Sequence, residues 1–192
     1  MKETPIIFST ELIPKVLDGT KTQTRRVIKM HAIMLPPNPT TETINLYKEL
    51  AIRWCPYGQV GDRLIIKEAW AVDKLWDAKK PSEISNLATL WYPADGQIKP
   101  MWVGRTRSSR FMCKWMSRAK LEITEVRAER VQEITPRDCE AEGIYGRNML
   151  DVYIKMDFIH LWDSLNASRG YGWDDNPWVY RLSFKVVTRR VK

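Results

Sequence analysis

The apolar positions of this chain change period several times, and each change marks an element. PIIF at residues 5–8 is a short continuous apolar run of strand length. Leu12, Ile13, Val16 and Leu17 then recur at helical spacing. Ser9 or Thr10 is the predicted cap, and Pro14 is tolerated because it lies near the helix start. Gly19 comes just after Leu17 and Asp18, where a left-handed C-terminal cap is expected. Residues 31–58 are rich in proline and turn formers and read as a surface excursion, with one helical turn around 45–52. RLIIKEAW, from Arg63, is a strand that places Leu64, Ile66, Glu68 and Trp70 on one face.

Between about residues 72 and 115 the pattern weakens into an insertion, with a strand expected in ATLWYPAD and a loop in GRTRSSRFM. KLEITEVRAERV restores a strand. In ITPRDCEAEGI, Thr135 is a cap, Pro136 the first helical residue, Asp138 the capping-box acid and Gly143 the stop. Ile154, Phe158, Leu161, Trp162 and Leu165 define an amphipathic helix over 151–165. NASRGYGWDDNP is a loop, and WVYRLSFKVV a closing strand with Trp178, Tyr180, Leu182 and Phe184 on one face. There is no βαβα alternation, repeat or internal linker. The pattern predicts one α+β domain over 1–192, a small and mostly antiparallel β-barrel with flanking helices and a mid-chain insertion.

Composition narrows the class. A chain of 192 residues, 44% hydrophobic and 28% charged, is an ordinary globular protein. Every apolar run is too short for a membrane span, and MKETPIIF lacks the form of a signal peptide, so the expected location is cytoplasmic. Cys55, Cys113 and Cys139 are far apart and form no CxxC pair, and His31 and His160 are isolated. Neither a disulfide framework nor a metal site is expected. A net charge of +8, with basic residues clustered at Arg25-Arg26, in GRTRSSR and in TRRVK, leans toward a polyanionic partner. Nine tryptophans supply flat faces of the kind unpaired bases stack on, although most belong in a core.

Common catalytic signatures are missing, and GTKTQTRR (19–26) is the densest chemistry in the chain. A threonine hydroxyl needs a base, and a lysine can be that base when neutral. Burial and neighbouring cations both lower a lysine's pKa, and Arg25 and Arg26 lie within five residues of Lys21. Lys21 and Thr24 fall on opposite faces of a regular strand, so joint action requires a bend after Gly19. From spacing alone the octet reads rather as a polar turn, with Thr22 and Thr24 on a strand edge. Glu140 and Glu142 sit at a helix end, either as a general acid or as a solvated face. Glu68 on an apolar face needs a cation, and Arg26 is the expected partner. GYGWDDNPWVY has the composition of a binding loop.

PIIFSTELIPKVLDGTKTQTRRVIK, CPYGQVGDRLIIKEAW, ITEVRAERVQEITPRDCEAEGI and LWDSLNASRGYGWDDNPWVYRLSF together resemble the ASCH domain family. The G-x-K-x-x-T-x-R element, met as Gly19, Lys21, Thr24 and Arg26, is its most specific part. The resemblance implies a PUA-like fold. It also implies the chemistry of the small bacterial N4-acetylcytidine amidohydrolases, with Lys21 as base, Thr24 as nucleophile and Glu142 (Glu140 in a second register) as proton donor. Arg26 would stabilise the oxyanion or orient Glu68, and one or more of Trp70, Trp173 and Trp178 would stack on the pyrimidine. Water activated by Lys21 and Glu142 is an alternative to the Thr24 nucleophile. The implied partner is a modified cytidine, free or within RNA, with no cofactor. Other ASCH proteins have been regarded as RNA binders or ribonucleases, which leaves a non-catalytic module and a ribonuclease as rivals.

Overall fold

In the computed structural model, residues 1–29, 38–145 and 151–189 are described, the first two residues of the last segment by backbone alone. His31, the proline-rich start of the excursion and the last basic residues, 190–192, lie outside them. Five strands form one mixed sheet: β1 Glu3–Ile7, β2 Gln23–Val27, β3 Arg63–Lys67, β4 Ala119–Arg130 and β5 Trp178–Arg189, in the order β1-β3-β4-β5-β2. β1 and β3 run parallel and the other pairs are antiparallel. Among the described residues, four α-helices complete the α+β fold: α1 Ile13–Leu17, α2 Thr41–Arg53, α3 Pro136–Ala141 and α4 Asp151–Asn166.

The expected barrel is an open sheet. β1 and β2 remain its edges, linked not by a ladder but by one side chain, as Arg26 Nη2 donates to the Ile7 carbonyl at 2.6 Å. The long strands β4 and β5 carry the sheet, and register shifts at Lys120/Leu121 and Ile123/Glu125 bend β4. Leu64, Ile66, Leu121, Ile123, Leu182 and Phe184 fill one face against Ile13 and Val16 of α1 and Tyr47 and Ala51 of α2. Val179 on the other face packs with Cys139 of α3 and with Ile154, Phe158 and Trp162 of α4. Ile65 is buried like its neighbours, as befits an internal strand covered on both sides.

Three local expectations change. α1 begins after Leu12 with no side-chain cap, because Pro14 in its first turn already lacks the N–H that a cap would serve. The single turn expected near 45–52 is a 13-residue helix, α2, capped by Thr40, whose side chain accepts from Thr43 N–H at 3.2 Å. ATLWYPAD forms only the bridge between Ala71 and Trp91, and the segment around it winds through short 3₁₀ turns. That segment has its own apolar cluster, in which Trp70, Val72, Ile84, Tyr92, Met112 and Met116 are buried together. No helix among the described residues is long and apolar enough to cross a membrane.

Candidate active site

The bend that joint action of Lys21 and Thr24 requires is present. α1 ends at Leu17, and Gly19 takes φ of +84° with nothing within 4 Å of where a Cβ would be, so the backbone conformation alone calls for glycine. The chain then doubles back: Lys21 N–H donates to Lys15 O at 2.7 Å, and Thr22 N–H to Ala141 O at 2.8 Å. β2 becomes regular only at Gln23. Lys21 therefore precedes the strand, and strand alternation no longer separates it from Thr24.

α3 brings the carboxylate. Its N-terminus is as expected, with Thr135 and Asp138 forming a reciprocal capping box and Pro136 in the first turn. It ends at Glu142 and turns at Gly143, whose φ is +81°. A Cβ on Gly143 would sit 3.1 Å from Lys15 Cδ and 3.2 Å from Lys21 Cβ, so a glycine lets α3 close on the Lys21 backbone. Lys15 Nζ secures the turn by donating to Gly143 O at 2.5 Å.

Lys21, 2% exposed, donates from Nζ to Glu142 Oε2 at 2.5 Å and to the Glu142 carbonyl at 2.7 Å. Burial pushes the Lys21 ammonium pKa down, and the charges of Arg26 and Arg25 push the same way, while Glu142 opposes them. Glu142 is itself buried, whereas Glu140 is exposed, so the structure brings Glu142 rather than Glu140 to the lysine. Thr24 is buried beside them, and its hydroxyl has no hydrogen-bond partner among the described residues.

Arg25 sets the other side of Glu142. Its guanidinium donates from Nη1 to Glu142 Oε1 at 3.3 Å and from Nε to Glu129 Oε1 at 3.0 Å, and Nη2 lies 3.4 Å from Asp138 Oδ2. Arg25, Arg181 and Arg127 stand side by side across β2, β5 and β4. Three arginines in a row repel, and Glu125, Glu129 and Asp138 lie among them as counter-charges, with Arg181 Nη2 donating to Glu125 Oε2 at 2.6 Å. Reading the octet alone missed this support. The signal was present in the charges at alternate positions of ITEVRAER, Glu125, Arg127 and Glu129, which needed a strand register to become visible.

Lys21, Thr24, Arg25, Arg26 and Glu142 all line one cavity of about 990 Å³. It lies between the two free sheet edges and is closed by Phe8 after β1, Tyr57, and Phe158, Trp162, Asn166 and Arg169 of the α4 region. Ser108 and Ser109 of the GRTRSSRFM loop reach the same wall, so the middle segment borders the cavity.

The other expected site residues lie elsewhere. Glu68, 1% exposed, is paired with Arg118 rather than Arg26, with Nε to Oε1 at 2.7 Å and Nη2 to Oε2 at 2.8 Å. Arg26 is drawn instead to the Ile7 carbonyl and stacks over Phe8 at 5.4 Å, so it does not orient Glu68. Trp70 is fully buried in the cluster of the middle segment, and Trp178 is a core residue between Tyr47 and Arg130. Neither offers a face to the cavity. Trp173 packs edge-on against Phe158, behind the wall. The aromatic rings that do line the cavity are those of Phe8, Tyr57, Phe158, Trp162 and Tyr171. Among the described residues, no group of three or more His, Cys, Asp or Glu side chains is arranged to hold a metal ion.

No protein-family model matches the sequence, and no curated protein matches it. Solved structures do match by shape. One is a protein from Enterococcus faecalis V583 described under the family model DUF984, with TM-score 0.50 and 12% identity, covering 100% of this chain and 84% of that one. Another is an ASCH domain from Lactobacillus crispatus JV V101, with TM-score 0.48 and 10% identity, covering 98% of this chain and 81% of that one. At such identity the likeness to the Enterococcus protein is one of fold alone. The α+β fold of this chain is thus shared with the Enterococcus protein.

Proposed function

We propose that the chain is an amidohydrolase that removes the acyl group from the exocyclic N4 amine of an acylated cytidine. One observation carries this: a buried lysine of lowered pKa, bonded to Glu142, shares a cavity with the unpartnered Thr24 hydroxyl. A neutral Lys21 amine has two N–H groups. Glu142 supplies two acceptors for them, the carboxylate and the carbonyl, which leaves the nitrogen lone pair free to take a proton.

Thr24 Oγ1 attacks the acyl carbonyl as its proton passes to Lys21 Nζ, forming the C–O bond. The C–N4 bond then breaks, and N4 takes a proton from the Lys21–Glu142 pair, without which the cytosine amine leaves poorly. Water, deprotonated by the same pair, hydrolyses the acyl-threonine and restores the hydroxyl. Arg25 holds the second oxygen of Glu142, so the carboxylate keeps its other oxygen on Lys21. Tyr57 and Phe8 provide the rings for stacking on the pyrimidine.

Turnover of N4-acetylcytidine, followed by loss of the acylated base's absorbance, tests this in wild type, Lys21→Ala and Thr24→Ala. Each substitution is expected to reduce kcat by about 10²-fold or more. No turnover by wild type, together with salt-dependent RNA binding, would replace the enzyme with a binding module. Full activity in Thr24→Ala would transfer the attack to a water activated by Lys21 and Glu142.

A further inference from the structure

The cations around the cavity differ in how they are balanced. Lys21 has Glu142, and Arg25 has Glu129, Asp138 and Glu142. Arg26 and Arg169 line the same cavity, and among the described residues neither has a carboxylate within ion-pair distance. Arg26 spends Nη2 on the Ile7 carbonyl, and its Nε is buried with no partner. Arg169 is held at the end of α4, its Nη2 donating to the Leu165 carbonyl and to Asn166 Oδ1, which leaves the rest of its fork free.

The two guanidinium groups also feel each other. Burial is the main influence lowering the Arg26 pKa, and the positive charge of Arg169 adds to it. The charge of Glu142 offsets part of this at Arg26, but among the described residues no carboxylate comes within ion-pair distance of either guanidinium. Glu142 is already shared between Lys21 and Arg25. The Tyr57 phenol, held neutral because burial raises its pKa, is not an anion. Glu11 lines the cavity but forms no ion pair with either arginine. Lys29, exposed on the same rim, adds a third positive charge.

Two like charges held at one cavity wall without a counter-ion repel, and a dianion placed between them turns that repulsion into attraction. Guanidinium forks are the groups that grip phosphate oxygens in bidentate fashion. The size agrees, because a cavity of about 990 Å³ lies at the top of the usual range of about 300–1,000 Å³ for ligand pockets. We infer that Arg26 and Arg169 form a phosphate subsite, so that the ligand of this cavity is a phosphorylated pyrimidine nucleoside rather than a neutral one. The inference rests on the reading of the cavity as a cytidine site and assigns Arg26 to a ground-state anion instead of the oxyanion. The phosphate can belong to a free nucleotide or to a strand of RNA.

Calorimetric titration of the full chain with cytidine, cytidine 5′-monophosphate, inorganic phosphate and a short cytidine-containing single-stranded RNA tests this without requiring turnover. At low salt the monophosphate is expected to bind about tenfold tighter than cytidine, with inorganic phosphate competing for part of that gain. In Arg169→Gln, a change at an exposed position, the advantage is expected to fall to about threefold or less. Arg26→Gln should abolish it, provided circular dichroism shows an intact fold. RNA binding tighter than the monophosphate would identify a strand as the phosphate source, and the reverse order a free nucleotide. Equal binding of cytidine and its monophosphate, or an advantage unchanged in Arg169→Gln, would overturn the subsite. The two proposals fail separately. Tight nucleotide binding without deacylation ends the amidohydrolase reading alone, whereas N4-acetylcytidine turned over as well as its 5′-phosphate ends the phosphate subsite alone.

Discussion

Replacing Glu142 with glutamine tests the heart of the site. Glu142→Gln keeps the shape of the side chain and removes the charge that balances Lys21 at 2.5 Å, while Lys21 stays 2% exposed. Breaking one half of a buried ion pair typically costs about 3–5 kcal/mol, because the remaining charge is left unsolvated. For a domain of this length each kcal/mol moves Tm by about 2–4 °C, which gives a drop of about 6–20 °C near neutral pH. Glu142 is what holds the Lys21 pKa up against burial, so without it the pKa falls further. A lysine with a depressed folded pKa binds fewer protons folded than unfolded. Stability therefore rises with pH from that depressed value up to the ordinary lysine range. The deficit of Glu142→Gln relative to wild type should accordingly shrink as pH is raised. Chemical denaturation at several pH values measures it. The double variant Lys21→Met/Glu142→Gln, which removes the stranded charge, should recover more than half of the loss. A deficit below about 1 kcal/mol that does not change with pH would show that the two groups do not form a desolvated ion pair.

Arg25→Gln removes the cation shared by three carboxylates, leaving Glu142 to Lys21 and Glu129 and Asp138 to Arg181, and is expected to cost about 3 kcal/mol in denaturant unfolding; Arg25→Lys should recover only part, since one ammonium cannot reach Glu129, Asp138 and Glu142 together. Gly19→Ala meets no atoms, so its cost is purely conformational, about 1–2 kcal/mol by thermal unfolding. Gly19→Asn should cost less, because asparagine visits the left-handed region more readily. Cys139 is fully buried and its thiol is pushed up to about 11 by burial, so it should resist iodoacetamide near pH 8 in the native chain and react after unfolding, as mass spectrometry would show.

Much of the fold was legible because most elements announce themselves locally. Thr135, Pro136, Asp138 and Gly143 delimit α3 by side-chain chemistry alone, and the strand period of RLIIK and KLEITEVRAER survives a bulge. What failed was long-range choice. Glu68 on an apolar face correctly demanded a cation, yet sequence cannot rank Arg26 above Arg118, fifty residues further on, and the fold selected the latter. The tryptophans failed for a related reason. Stacking chemistry and core packing ask for the same rings, and the wall took Phe8 and Tyr57 while Trp70 and Trp178 went inside. At Lys21 and Thr24 the spacing was ambiguous until the turn at Gly19 placed them before and within β2.

The open sheet has a consequence for how the chain keeps to itself. A bare strand edge is a template for another copy's backbone, and closed barrels avoid the danger by having no edge. Here Ile7 at the end of β1 and Thr24 to Val27 of β2 border the cavity, and Arg26 bolts the one strand to the other. The groove that admits a ligand is thus also the place where the β2 edge and the end of β1 are put out of a neighbour's reach. Resistance to aggregation and access to the site are governed by the same gap, and a change that widens it for a larger ligand would loosen both.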